Sequence, residues 1–420
     1  MSQWLANVID RASSVNDWLS PVRQEALTRL KSTSWPTRRT EEWRYTSLHA
    51  LANLTLNEAT NSKALAEAPV VSNLNSIDIV FVDGVPATDL TALNLPAGLT
   101  IHSLANASEA IQQQASKVFN QVKPDAHLFG LVNDALALQG VFINVAAGVQ
   151  LEQPIRVVNL VSAGIESHNR VLVNLGANAQ ATIIEHGAGQ GNSMNTAFAE
   201  YVIGTEAKLE HYRFALHGEE AIHIGGCHFK MGESSRLNST IVGYGSQISR
   251  IDTDVVHAAE HALAKMNCIY LLGPKEHFDL HSLIEHVVPN GTTEQNARGI
   301  VGDKARAVFS GRILIHRDAQ KTLAELHNRN LLMSRGAQIS TTPALEIYAD
   351  DVQCAHGATI AEIAEEDLYY LQARGISRKQ ALIMLNFGFI QELVSQMPNK
   401  ALAAWLEPLL RERFATMESE

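Results

Sequence analysis

The chain has 420 residues, 46% of them hydrophobic and 18% charged, with 33 Lys and Arg against 44 Asp and Glu and a formal net charge of −11 at pH 7. That length exceeds one ordinary core, so two or three units are expected unless a repeat extends one of them. The acidic balance and the lack of any long Lys/Arg cluster exclude an extended phosphate-binding surface, so nucleic acid is not an expected partner. The opening MSQWLANVIDRASS reaches Asp10 and Arg11 without an apolar core. No later stretch approaches the ~18 uninterrupted apolar residues of a membrane helix, and a cytoplasmic protein is expected. The three cysteines, Cys227, Cys268 and Cys354, are odd in number and far apart, which argues against a disulfide framework. They cannot supply four thiolates to an all-cysteine zinc or iron–sulfur site from one chain.

The first ~50 residues read as helices, with Ser20 and Pro21 as a helix start ahead of VRQEALTRLK. The linker-like STSWPTRRTEEWRYTSL follows, then IDIVFVDGVPA, a period-2 run turning at Asp83–Gly84. Residues 106–126 read as helical again.

From Leu131 to about Ile360 the pattern becomes short alternating strands separated by small residues. VAAGVQL, LGANAQA, IGTEAKL and MGESSRL recur, their fifth residues Val149, Ala179, Ala207 and Ser235 lying 30, 28 and 28 apart. VGDKARA at Val301 and MSRGAQI at Met333 repeat the form, while Asp252–Met266 blurs it. A repeat of this length with no room for a helix in each unit predicts a β-solenoid with small residues at the corners, the alternative being hairpins of similar spacing in a sandwich. Open solenoid ends need covers, and the flanking helices are the expected caps.

From Glu365 the pattern is helical. ISRKQALIMLNFGFIQELVSQM opens on the capping box Ser377 to Gln380. One apolar stripe runs Leu382, Leu385, Phe389, Leu393 and a second Ile383, Phe387, Ile390, Val394. Two stripes imply burial on more than one side, within the chain or against a partner. The expected organisation is residues 1–125 as a helical region with a small strand element, 126–360 as the solenoid and 361–420 as a second helical region.

Candidate chemistry concentrates in LEIYADDVQCAHGATI, Leu345 to Ile360. On a strand, Cys354 and His356 share a face and present a thiol beside an imidazole, half of a metal site that needs ligands from elsewhere. A Cys–His nucleophile and a plain structural pair are the alternatives. In EHFDLHSLIEH, His277, Asp279 and His281 share one strand face, expected to be a solvated outer face. Cys227 and His228 are adjacent, so they point to opposite faces. HGAGQGN at His186 opens no helix and reads as a loop, and no G-x-x-x-x-G-K-[ST] occurs, so any nucleotide hydrolysis must come from a partner.

PALEIYADDVQCAHGATIAEIAEEDLYYLQARGI closely resembles the C-terminal signature of the SufB/SufD family of iron–sulfur cluster assembly proteins. VGDKARAVFSGRILI, FGLVNDALALQGVFINVAAGVQLEQPI and PTRRTEEWRYTSL resemble other family segments, so the likeness spans nearly the whole chain. Its length, few cysteines and CAHGAT form resemble the SufD side of the family. The resemblance implies a mainly β fold, a right-handed parallel β-helix flanked by N- and C-terminal helical regions. It implies a non-catalytic scaffold that pairs with a SufB-like subunit, binds a SufC-like ABC ATPase through its C-terminal helices and receives sulfur indirectly from a cysteine desulfurase system. Pairing of two copies is open to the isolated chain.

The resemblance also assigns His356 and Cys354 as ligands for iron or a transient iron–sulfur cluster shared across the subunit interface, with nothing tightly bound by the chain alone. Asp350 and Asp351 match the motif as ligands or as residues shaping the edge, and Ala355 stands where family members often carry serine. Leu382, Leu385, Phe389 and Leu393 are the expected ATPase contact. The competing readings are a purely structural subunit and an enzyme on a β-helix, of the Cys–His or carbohydrate-active kind; few aromatic residues and no paired carboxylates on a groove speak against the last.

Overall fold

The recurring unit is a coil of two strands joined by tight turns. A computed structural model describes residues 2–58, 68–124 and 127–417; the expected boundary at 125/126 lies outside them. Gln180, Lys208, Arg236, Leu263, Thr292, Leu323 and Gln353 stand in register, so successive coils advance by 27 to 31 residues. The Arg236–Leu263 step is the shortest, which explains why the repeat blurs after Asp252. Two ten-stranded sheets result, consecutive solenoid strands alternating between them, and about eight turns stack into a mainly β parallel solenoid.

The corners explain the small residues. Gly148, Asn178, Glu206 and Ser234 take φ of 75°, 58°, 56° and 53°, and the backbone N–H of each donates to a carbonyl in the next turn, at Ala177, Thr205, Glu233 and Glu260. Gly204 passes so close to the preceding coil that a Cβ would lie 2.7 Å from the Leu175 carbonyl oxygen. Inward positions such as Val173, Tyr201, Phe229, Val255 and Phe309 form one continuous core.

The covers differ from the expectation. The N-terminal end is closed by strands: Ile77–Val82 extends one sheet in parallel and Leu99–Ser103 pairs antiparallel with Gln139–Val145 in the other. The helices instead cover the outer faces, because the middle coils carry apolar residues outward as well as inward. Helices Gln3–Ala12, Ser20–Ser32 and Leu128–Leu136 pack on Met194, Phe198, Ile222, Ile224 and Ile248. Helices Arg378–Ser395 and Lys400–Met417 pack on Phe214, Ile269, Leu271 and Ile300 of the other sheet. The capping box at Ser377 and Gln380 forms.

Three local readings are corrected. Leu128–Leu136 is a buried helix where strands were expected from Leu131, its His127 ring accepting the Gly130 N–H. Among the described residues of 106–126 there is one helix, Glu109–Ala115, followed by turns. His186 to Gly189 ends the strand Gln180–Gly189 and is not a loop.

Buried neutral histidines make the fold acid-sensitive. The His257 and His286 rings stack with centroids 4.1 Å apart, and both Nε2 atoms lie 3.0 Å from Thr293 Oγ1. Burial holds His286 down at about 4 and His257 well below the usual imidazole range. The unfolded chain binds protons first, so stability is complete above about pH 6.5 and falls as pH drops toward 4. Between pH 7 and 5 the urea midpoint should fall, and in His286→Gln the loss should shrink by on the order of 2 kcal/mol. Parallel pH profiles for the two proteins would show that His286 is not a sensor.

Candidate functional site

The solenoid ends abruptly at its C-terminal side. Gln338–Ile347 is the last strand of one sheet and Gln353–Ala361 of the other, each paired on one side only among the described residues. Pro343 within the first of these has no backbone N–H to offer, as suits an edge strand. Ile347, Tyr348 and Ile360 are exposed here, an apolar rim beside two free backbone edges.

Cys354 and His356 lie in register with Ala324 and Leu326, both core residues. The pair therefore continues the inward row of the solenoid at a point where no further coil covers it. Cys354 is half-buried against the core and His356 exposed. Burial pushes the Cys354 thiol up, partly opposed by a backbone hydrogen bond from Ala324, so it is a thiol rather than a thiolate at neutral pH. Asp350 and Asp351 are tied to the turn below: Gln320 Nε2 donates to Asp350 Oδ1 at 2.9 Å, and Asp351 pairs with Lys321 while its N–H donates to Gln320 Oε1 at 2.9 Å.

The C-terminal helix spends most of its apolar surface internally. Leu393 is buried, together with Phe387, Ile390 and Val394 of the second stripe. Phe389 is half-buried, its carbonyl accepting from Arg298. Leu382 and Leu385 are half-exposed beside the exposed Met384.

The face bearing His277, Asp279 and His281 is an outer face, but it is not solvated. Segment 40–46 lies over it: Trp43 stacks on Arg250 at 4.0 Å, and Thr46 Oγ1 accepts from His277 Nε2 at 2.8 Å while donating to Asp279. His277 and Asp279 are buried and His281 partly so. Cys227 and His228 do face opposite ways: Cys227 inward, His228 outward against Asp254 at 2.7 Å.

Sequence reasoning missed a polar belt inside the middle coils. Ser167, Asn195 and His223 stand in register, and the belt runs on through Arg213, Glu185, His211 and Ser239. Its signal was present: Ser167–Asn195, Asn195–His223, Glu185–Arg213 and His211–Ser239 are each 28 residues apart, one coil of the repeat.

Residues 158–389 match the family described as SUF system FeS cluster assembly, SufBD core domain, and residues 5–157 match the SufBD protein N-terminal region. The chain belongs to the SufBD family of iron–sulfur cluster assembly proteins. It is 30% identical over 397 residues to the iron–sulfur cluster assembly protein SufD of Escherichia coli, covering 91% of this chain and 90% of that one. An iron–sulfur cluster assembly SufBD family protein of Synechocystis is 30% identical over 393 residues, 90% of this chain and 87% of that one. SufB of Bacillus subtilis is 22% identical over 314 residues, 74% of this chain and 67% of that one. The SufBD core match begins within the strand Ile155–Val161, already inside the solenoid.

The burial pattern sets the thiol chemistry. Cys227 and Cys268 are buried with thiols pushed up, Cys227 to about 12, and only Cys354 is partly exposed. A disulfide reagent should titrate one thiol in the folded chain, lost in Cys354→Ser, and three in denaturant. Two or more reactive thiols before unfolding would contradict this packing.

Proposed function

We propose that the chain is a non-catalytic scaffold subunit of a SufBCD-type complex, and that its last coil supplies half of a site for iron or a nascent cluster. The observation that carries this reading is the position of Cys354 and His356 on the inward row, at the uncovered end, between two free strand edges. A SufB-like sibling that adds strands to those edges would satisfy their backbone groups, bury the Ile347–Tyr348–Ile360 rim and bring further donors to the pair.

The cargo supplies the redox and Lewis-acid chemistry. This chain's residues supply two donors: His356 offers an imidazole nitrogen, and Cys354 offers sulfur once its proton leaves. Burial disfavours the Cys354 thiolate in the isolated chain, so ion or cluster binding and thiol deprotonation are coupled. Two donors from one chain hold cargo transiently, consistent with release to a downstream acceptor. Sulfur would arrive from a cysteine desulfurase system. For the SufC-like ATPase, the surface left on the C-terminal helix is Leu382, Met384 and Leu385, with Phe389 at its margin and Leu393 committed to the chain's own core.

The test uses the chain co-expressed with a SufB-like subunit and a SufC-like ATPase in cells dependent on this pathway. His356→Ala should co-purify with both partners at wild-type stoichiometry yet fail to support cluster-dependent growth, with Cys354→Ala showing a smaller defect. Normal growth with an intact His356→Ala complex would favour a purely structural subunit.

A further inference from the structure

The polar belt of the middle coils contains three side chains whose donor atoms converge. Glu185, His211 and Cys227 come from the strands Gln180–Gly189, Lys208–Leu216 and Ile222–Met231, and one oxygen, one nitrogen and one sulfur lie within 4.8 Å of one another. All three side chains are buried, inside the polar belt of a solenoid whose core is mostly apolar. We propose that Glu185, His211 and Cys227 form an internal site for one divalent ion of zinc's class, independent of the Cys354–His356 end, whose strand lies five positions along the sheet from that of His211.

The surroundings orient each donor as a metal ligand needs. His211 Nδ1 lies 2.8 Å from Ser239 Oγ, which fixes the ring and aims Nε2 at Glu185 Oε1, 2.9 Å away. Such a partner on the other imidazole nitrogen is the usual support of a ligating histidine. Tyr201 Oη donates to the same Glu185 Oε1 at 2.8 Å, and Arg213 donates to Oε2 at 2.8 Å, which fixes the carboxylate plane. Donor lengths of about 2.0 Å in a tetrahedral site set nitrogen and oxygen about 3.3 Å apart, so the 2.9 Å His211–Glu185 pair opens by a few tenths of an ångström, and about 2.3 Å to sulfur sets how far Cys227 must close in from a triad now spanning up to 4.8 Å.

Two anionic ligands, the Glu185 carboxylate and a Cys227 thiolate, would balance the charge of a divalent ion. Glu185 is ionised: burial pushes its carboxyl up, but the Arg213 charge and the hydrogen bond from His211 outweigh that. Arg213 also lies 3.9 Å from Cys227 Sγ, where it would face a thiolate once an ion displaced the proton. Glycine clears its path, since a Cβ at Gly225 would lie 2.5 Å from the Arg213 guanidinium and 2.1 Å from the Ala197 carbonyl oxygen. Binding releases one proton, from Cys227 to solvent; the His211 proton that Glu185 accepts moves to Nδ1, which then donates to Ser239 Oγ, leaving Nε2 and the Glu185 carboxylate free as ligands. The ligands span three strands of both sheets and meet only when the coils stack, so the ion enters as the chain folds and staples the coils together.

The competing account is a complete hydrogen-bonded network with no ion, and cobalt separates the two. The full chain, produced in cobalt-supplemented medium or refolded with cobalt(II), should retain one equivalent after gel filtration. It should show thiolate-to-cobalt charge-transfer absorption, weakening as pH falls. The absorption should be lost in Cys227→Ser and persist in Cys354→Ser. Glu185→Gln preserves side-chain volume and should shift the visible cobalt bands, with circular dichroism confirming its fold. Retention well below one equivalent by elemental analysis, or absorption that disappears with Cys354 instead of Cys227, would overturn the site and leave the network account.

Discussion

A parallel strand can satisfy its backbone only against a neighbour, and along the body of this solenoid the neighbour is another coil. That constraint fixes the register of Gln180, Lys208, Arg236 and their successors, and with it which side chains point inward. It also makes the two ends different. The N-terminal end is closed by Ile77–Val82 and the antiparallel Leu99–Ser103, whereas Gln338–Ile347 and Gln353–Ala361 leave their outer edges open. Cys354 and His356 sit on this open end, so the proposed ligand pair and the free edges belong to one coil.

The interior is built to two standards. Most coils bury aliphatic and aromatic residues, but the coils around Glu185 and Arg213 enclose an ion pair at 2.8 Å with His211, Tyr201, His223 and Asn195 around it. Buried pairs recover their desolvation cost only when the remaining donors and acceptors are satisfied, as these carboxylate oxygens are. The outer faces follow the same logic beneath their covering segments. Arg250 is caught between Asp252 and the Trp43 ring, and this fastens the N-terminal segment to the sheet.

The sequence was most legible where a physical rule repeats. Left-handed turns recur once per coil, at the fourth residues of VAAGVQL, LGANAQA, IGTEAKL and MGESSRL, so these recurring units announced the solenoid, and Ser377–Gln380 announced a helix start. The Cys354–His356 face was legible because strand alternation is local. Contacts at long separation were not: Thr46 reaches His277 and Asp279 across 231 and 233 residues, and nothing in EHFDLHSLIEH signals that a distant threonine will cover it. Leu393 was ambiguous for a related reason, since an apolar stripe fits the chain's own sheet and a partner's groove equally well. The polar belt lay between these cases. Its 28-residue spacing was visible, but only a known coil register turns Glu185 and Arg213 into neighbours.

The central claim is that the last coil is completed by another subunit, and hydrogen exchange at the strand edges tests it most directly. In the isolated chain, amides in Gln338–Ile347 and Gln353–Ala361 should exchange far faster than those in the interior strands Lys208–Leu216 and Ile222–Met231. In complex with a SufB-like subunit the two edge strands should gain protection while the interior strands stay unchanged. Edge strands already protected in a monomeric isolated chain, or left unprotected in the complex, would contradict the account.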